Sequence, residues 1–130
     1  MAATRIMQGG PIVDAVSMAA TFTSDTLDVS GAAVAGLQFV AASATHAGTF
    51  AVQLSIDGET WKAVPFRISS GAMATSVSAS NGAALSELAA VDVSMARRLR
   101  VVYTASSGTG TAYVHAIKKA GAATTSLAVS

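Results

Sequence analysis

A chain of 130 residues suits one domain with a core of its own. Only eight basic and seven acidic residues are present, giving a net charge of +1 and a charged share of 12%, about half the roughly 25% of ordinary soluble domains. That balance argues against a nucleic-acid partner, the lack of cysteine excludes a disulfide framework and a thiolate metal site, and no run of about 18 apolar residues free of turn residues offers a membrane span.

Alanine (29), serine (16), threonine (13) and glycine (11) make up more than half the chain, so much of the exterior must be small and uncharged. Soluble monomers usually keep apart through mixed surface charge. Charge depletion is instead the mark of interface cores, which predicts that part of this surface is covered by other subunits.

In chain order, residues 1–11 read as an arm closed by Gly9-Gly10-Pro11, with no apolar stretch of signal-peptide length. Residues 12–18 alternate Ile12, Asp14, Val16 and Met18 against Val13, Ala15 and Ser17, a first strand. Thr26 to Ser30 is a short strand with Leu27 and Val29 inward, and Val34 to Ser43 a longer one with Leu37, Phe39 and Ala41 on one face. The loop 44–48, which includes His46, leads to the clearest unit of the chain. There Phe50, Val52, Leu54 and Ile56 alternate with polar and small residues, Asp57-Gly58 marks a tight turn, and Trp61 opens a return strand closed by Pro65. Proline lacks an N–H, which places Pro65 at an edge or a bulge.

Further on, Ser69 to Gly71 is a turn, and Ala72 to Ala79 a weak strand with Met73, Thr75 and Val77 in phase. Ser80-Asn81-Gly82 is a second strong turn. Leu85, Leu88 and Asp92 fit helical spacing whereas Val91 and Val93 fit a strand; we expect a loop or short helical turn over 86–90 and a strand over 91–95. Arg98 to Ala105 alternates with Leu99, Val101 and Tyr103 inward, and after Ser106-Ser-Gly-Thr-Gly110 the segment Thr111 to Lys118 is expected to pair back on it, bringing Tyr103 beside Tyr113. Residues 121–130 form a small, uncharged tail. Short strands with turns at intervals of roughly 8–12 residues predict an all-β fold: a single antiparallel β-sandwich, jelly-roll or Ig-like, of about eight strands, with an N-terminal arm (1–11), a sandwich domain (12–120) and a C-terminal tail (121–130).

Three pieces carry a family resemblance: Val34-Ala-Gly-Leu-Gln-Phe-Val40; Gly48-Thr-Phe-x-Val-Gln-x-Ser-x-Asp-Gly-x-x-Trp61; and the segment from Arg98-Leu-Arg-Val-Val-Tyr103 through Ser107-Gly-Thr-Gly-Thr111 to Lys118. Together they resemble small β-sandwich virion structural proteins of tailed bacteriophages, of the capsid decoration (cement) or fibre type. The resemblance covers roughly residues 27–118 and departs from the family over 72–90. It implies a virion protein made in the host cytoplasm, with the major capsid protein or other virion subunits as partners. It further implies a homo-oligomer, with a trimer expected. The Ser-x-Asp-Gly-x-x-Trp piece is also similar to the Asp-box turn of sialidase-type propellers, a structural motif there. A single copy cannot build a propeller, so Asp57 is expected to accept backbone N–H bonds across its own turn and Trp61 to pack over that turn into the core.

No enzyme is expected. His46 and His115 lie in no nucleophile elbow. Asp57 and Glu59 flank one turn, whereas glycosidases need two carboxyl groups about 5–9.5 Å apart across a cleft. No Asp-x-Asp-x-Asp-Gly run offers a calcium loop, and no metal or cofactor is expected. Arg98 and Arg100 share a strand face near Lys118, a basic patch suited to ionic contact with an acidic subunit. The reading is therefore a capsid decoration protein that stabilises the head across capsid subunits, with Arg5, Ile6 and Met7 of the arm and Arg98, Arg100 and Lys118 as partner contacts. The alternative is a carbohydrate-binding or host-adhesion domain with Asp57, Trp61 and Tyr103 near a glycan.

Overall fold

A computed structural model describes residues 6–42, 44–79 and 84–120. Residues 1–5, the 80–82 turn and the 121–130 tail of the sequence reading lie outside the described residues. The chain is all-β. Its strands are β1 (Ile6–Met7), β2 (Gly10–Ser17), β3 (Phe22–Thr23), β4 (Thr26–Asp28), β5 (Val34–Ala41), β6 (Ala47–Ser55), β7 (Lys62–Val64), β8 (Phe66–Ile68), β9 (Met73–Ala74), β10 (Val77–Ala79), β11 (Leu85–Asp92), β12 (Arg98–Ser107) and β13 (Thr111–Lys119).

Two sheets form the sandwich. Sheet I has the order β1-β4-β12-β6-β10, with β3 also on β12 and β7 also on β6; sheet II has the order β2-β13-β5-β11-β8-β9. All ladders are antiparallel except β1 with β4. The quartet β2-β13-β5-β11 therefore faces the quartet β4-β12-β6-β10, which is jelly-roll rather than Ig-like strand order. The short β8–β9 hairpin extends sheet II beyond β11.

Alternation explains the core. Ala35, Leu37, Phe39 and Ala41 of β5, Leu99, Val101 and Tyr103 of β12, Phe50, Val52 and Leu54 of β6, and Ala112, Val114 and Ala116 of β13 are all buried. Aromatic rings bridge the sheets. Phe39 of sheet II lies 5.2 Å from Phe50 of sheet I and 6.2 Å from Phe66, while Tyr103 lies 4.8 Å from Phe50 and 5.3 Å from Phe22. These separations fall in the range where aromatic pairs attract beyond simple burial.

Several expectations are corrected. β2 does not alternate strictly: Ile12 and Val13 are both buried. Ala15 adopts a left-handed φ of 55°, and the β2–β13 register shifts at two places, so a bulge re-aims the strand. Residues 85–92 form one continuous strand, with no helical turn, because pairing to β5 and β8 on either side overrides the helical tendency of its alanines. Residues 72–79 are not one strand; β9 belongs to sheet II and β10 to sheet I. Ile56 is 65% exposed, because β6 ends at Ser55.

The final two strands do not pair with each other. β12 is in sheet I and β13 in sheet II, so Tyr103 and Tyr113 are not cross-strand neighbours. The linker carries the chain between sheets and is pinned by Thr45, whose N–H donates to Thr109 O (2.9 Å) and whose Oγ1 accepts from Thr109 N (2.9 Å). His46 is buried beneath that linker, and the lack of a Cβ on Gly110 is what lets its ring sit there. Pro65 marks another crossing, from β7 in sheet I to β8 in sheet II.

Candidate functional site

The Asp57 turn forms as expected. Oδ1 of Asp57 accepts from the N–H groups of Thr60 and Glu59, both at 2.8 Å, and from Ser55 Oγ at 3.0 Å, while Ser55 Oγ accepts from Gly58 N at 2.8 Å. Gly58 takes a φ of 80°, which a side chain would resist. The Thr60 and Glu59 amides, with the Ser55 hydroxyl, hold the Asp57 carboxyl at a pKa of about 2. The carboxylate is thus committed to its own turn. Beside it an apolar hollow of about 500 Å³ opens between the β6–β7 hairpin and the β11–β12 loop, lined by Leu54, Ile56, Val64, Met95 and Ala96.

Trp61 is half-buried and does not enter the core. It lies on the outer face of sheet I, where the Arg100 guanidinium sits 4.3 Å over its ring and Arg100 Nε donates to Gln53 Oε1 at 2.7 Å. Tyr103 is wholly buried among Phe22 and Phe50, so its ring offers no stacking surface to a glycan. The three residues proposed for a sugar are therefore not gathered into one site.

The structure unites Arg98 and Lys118 in another way. Arg98 pairs with Asp28 Oδ1 at 3.4 Å, and Lys118 Nζ donates to the Asp28 carbonyl at 2.8 Å and to Gln8 Oε1 at 2.7 Å. Gln8 Nε2 in turn donates to Asp28 Oδ2 at 3.3 Å. This cluster joins sheet I, sheet II and the segment after β1 at one edge. Met7 packs against the core, and Ile6 beside it is exposed; Arg5 lies outside the described residues. The Ser30 amide first, then the Gln8 side chain, the Ser30 hydroxyl and the Lys118 charge, lower the Asp28 pKa to about 2.

A depressed carboxylate pKa contributes stability that is complete above its unfolded value of 3.8 and is lost as pH falls towards about 2. Glu87, held by Ser69, and Asp92, held by Ser94, are shifted in the same direction. Since an unfolded glutamate titrates near 4.5, stability is expected to be flat above about pH 5 and to fall steadily from there towards about pH 2. Asp28→Asn should remove about 1 kcal/mol of that fall, allowing for solvent screening. Urea midpoints across this range check it, and an unchanged acid slope in the variant would refute the assignment to Asp28.

The feature that sequence reasoning missed is the outer face of sheet II. Register places Met73, Arg67, Ala90, Gly36 and Ile117 in one row across β9-β8-β11-β5-β13. Adjacent rows hold Leu88, Gln38 and His115, and then Asp92, Val34 and Lys119. Val34 (38% exposed), Leu88 (56%), Ile117 (56%) and Met73 (60%) are four of the seven exposed large apolar side chains among the described residues, and all four face out here. Exposed apolar side chains gathered on one sheet face, here interspersed with Arg67, Gln38, His115, Asp92 and Lys119, suit an interaction surface of mixed character. The signal was present in Val34-Ala-Gly-Leu-Gln-Phe-Val40, whose near-continuous apolar run reads as a strand covered on both faces.

Among the described residues no group of three or more His, Cys, Asp or Glu could hold a metal ion, and no helix is long and apolar enough to cross a membrane. No protein-family model matches the chain, and no curated protein matches it. Among solved structures the chain is similar to the SPBc2 prophage-derived protein YomS. The TM-score is 0.62 at 9% identity, over 83% of this chain and 90% of that one. At that identity the likeness is one of fold.

Proposed function

We propose that this chain is a non-enzymatic structural protein of a bacteriophage virion, acting as a capsid decoration subunit that binds across capsid subunits and stabilises the head. The observation that carries this reading is the exposed apolar face of sheet II, with Val34, Leu88, Ile117 and Met73 at its surface. Such a face is suited to burial against a flat protein partner, and the prophage origin of the similar protein supports a phage setting. Its action is mechanical: each copy adds buried contact between subunits that internal DNA pressure would separate. The sugar-binding alternative is less well served, since Tyr103 is in the core and one face of Trp61 is covered by Arg100.

The test is co-sedimentation of the purified chain with expanded shells of the cognate major capsid protein. Saturable binding is expected, with a rise in the temperature of shell disruption. Leu88→Lys, at an exposed position, should weaken that binding by about a hundredfold, equivalent to about 3 kcal/mol, because it buries an unpaired charge. Absence of shell binding together with selective binding on a glycan array would replace this reading with the adhesion one.

A further inference from the structure

We propose that the outer face of sheet II is occupied by a second copy of the same chain, packed face to face about a two-fold axis that lies in the interface along β5. This rests on the reading of that face as an assembly surface: the second copy covers it in solution, and a capsid shell displaces that copy when it binds. The argument is one of self-complementarity. Such an axis carries β13 of one copy over β11 of the other and leaves β5 over β5. Lys119 and Asp92 flank Val34 at the same height on opposite sides of β5. The two-fold therefore brings Lys119 of each copy over Asp92 of the other, twice, at the rim. Neither residue has an ion-pair partner among the described residues.

Shape follows the same symmetry. Ile117 and Ala90 also share a row on either side of β5, with Gly36 between them. The large Ile117 of one copy thus meets the small Ala90 of the other, while each Ile117 leans over Gly36 of its own chain. Val34 meets Val34 between the charged pairs at one end of the strands, and further along β5 Gln38 meets Gln38, whose amides can pair with each other. Packed sheets are rotated by about 30°, which an axis inclined by half that angle to β5 supplies while keeping Lys119 within reach of Asp92. Strands about 4.8 Å apart and eight residues long at about 3.3 Å per residue give the four strands β2, β13, β5 and β11 about 500 Å² per copy. The pair then buries about 1,000 Å², the lower limit for a specific interface. A surface that meets itself under a two-fold is the commonest route to a closed homo-oligomer.

Light scattering and sedimentation equilibrium on the full chain test this. Wild type is expected to be a dimer, and Lys119→Glu and Asp92→Lys alone should each weaken dimerisation by about a hundredfold, since two like-charge contacts form at once and each costs about tenfold or more. An equimolar mixture of the two variants should dimerise again, because both contacts in the mixed pair join opposite charges. Misfolding of either variant would not produce that rescue. Ile117→Asp, at an exposed position, should give a folded monomer by circular dichroism. A wild-type monomer or trimer overturns the proposal, as does a dimer that is indifferent to all three variants or a mixture that stays monomeric. A monomer that still binds capsid shells overturns only the self-pairing and leaves the virion role standing. A dimer that binds no shell supports the self-pairing and removes the virion role.

Discussion

Replacing Phe39 with alanine is expected to cost about 3–5 kcal/mol, the usual range for deleting a buried phenyl group. Phe39 is fully buried on sheet II and lies against Phe50 of sheet I and Phe66 of β8. Its removal takes away the ring that links the two layers and leaves a cavity that two paired sheets cannot close by local movement. For a domain whose total stability is about 5–15 kcal/mol, that loss is a third or more of the whole at the lower end. Urea denaturation followed by circular dichroism gives the value directly. A loss below about 1.5 kcal/mol would mean that the neighbouring rings collapse into the space and that the aromatic cluster does not clamp the sheets.

The second large effect is expected at Gly48, for a reason unrelated to backbone freedom. Gly48 lies in β6 between Ala105 of β12 and Ala79 of β10. A Cβ there would strike the carbonyl oxygen of Thr104 and the hydroxyl of Tyr103. The first is backbone in an interior strand and cannot move without disturbing its ladder. Gly48→Ala should therefore cost about 2–3 kcal/mol, the upper part of the overpacking range. Tyr103→Phe alone should change stability by less than about 1 kcal/mol, since the buried hydroxyl has no hydrogen-bond partner among the described residues. Combined with Gly48→Ala it removes one of three colliding atoms and leaves the Thr104 oxygen and the ring carbon Cζ at 2.6 Å, so the double variant should recover only part of the loss. Strict additivity in the double-mutant cycle would show that the two groups do not meet.

Strands β5, β6, β12 and β13 were legible in the sequence because each inward face is written as unbroken alternation. The Asp57 turn was legible because its chemistry is local. β11 was not, since Ala89-Ala90 and the spacing of Leu85, Leu88 and Asp92 also satisfy a helix. What makes it a strand is supplied by β5 and β8, which lie far away in sequence. The linker 106–110 misled for a related reason. Small flexible residues close a hairpin within one sheet and a crossing between two sheets equally well, and only the partners of β12 and β13 distinguish these cases. The apolar outer face depended on both points. Leu88 and Ile117 cannot be placed on one surface until β11 is a strand and β13 is next to β5.

The position of β12 and β13 also orders events during synthesis. Each lies inside its sheet, β12 between β4 and β6 and β13 between β2 and β5, yet they are the last two strands among the described residues. Until residues 98–119 leave the ribosome, β2 and β5 have no common neighbour and β6 lacks its longest partner. The nascent chain can already pair β5 with β11 and β6 with β7 and β10, but both layers stay incomplete, with apolar faces open, until residues 98–119 arrive and close them together. Contacts so distant in sequence form slowly, and the interval before they form is when this alanine-rich chain is most exposed to association with its neighbours on the same message.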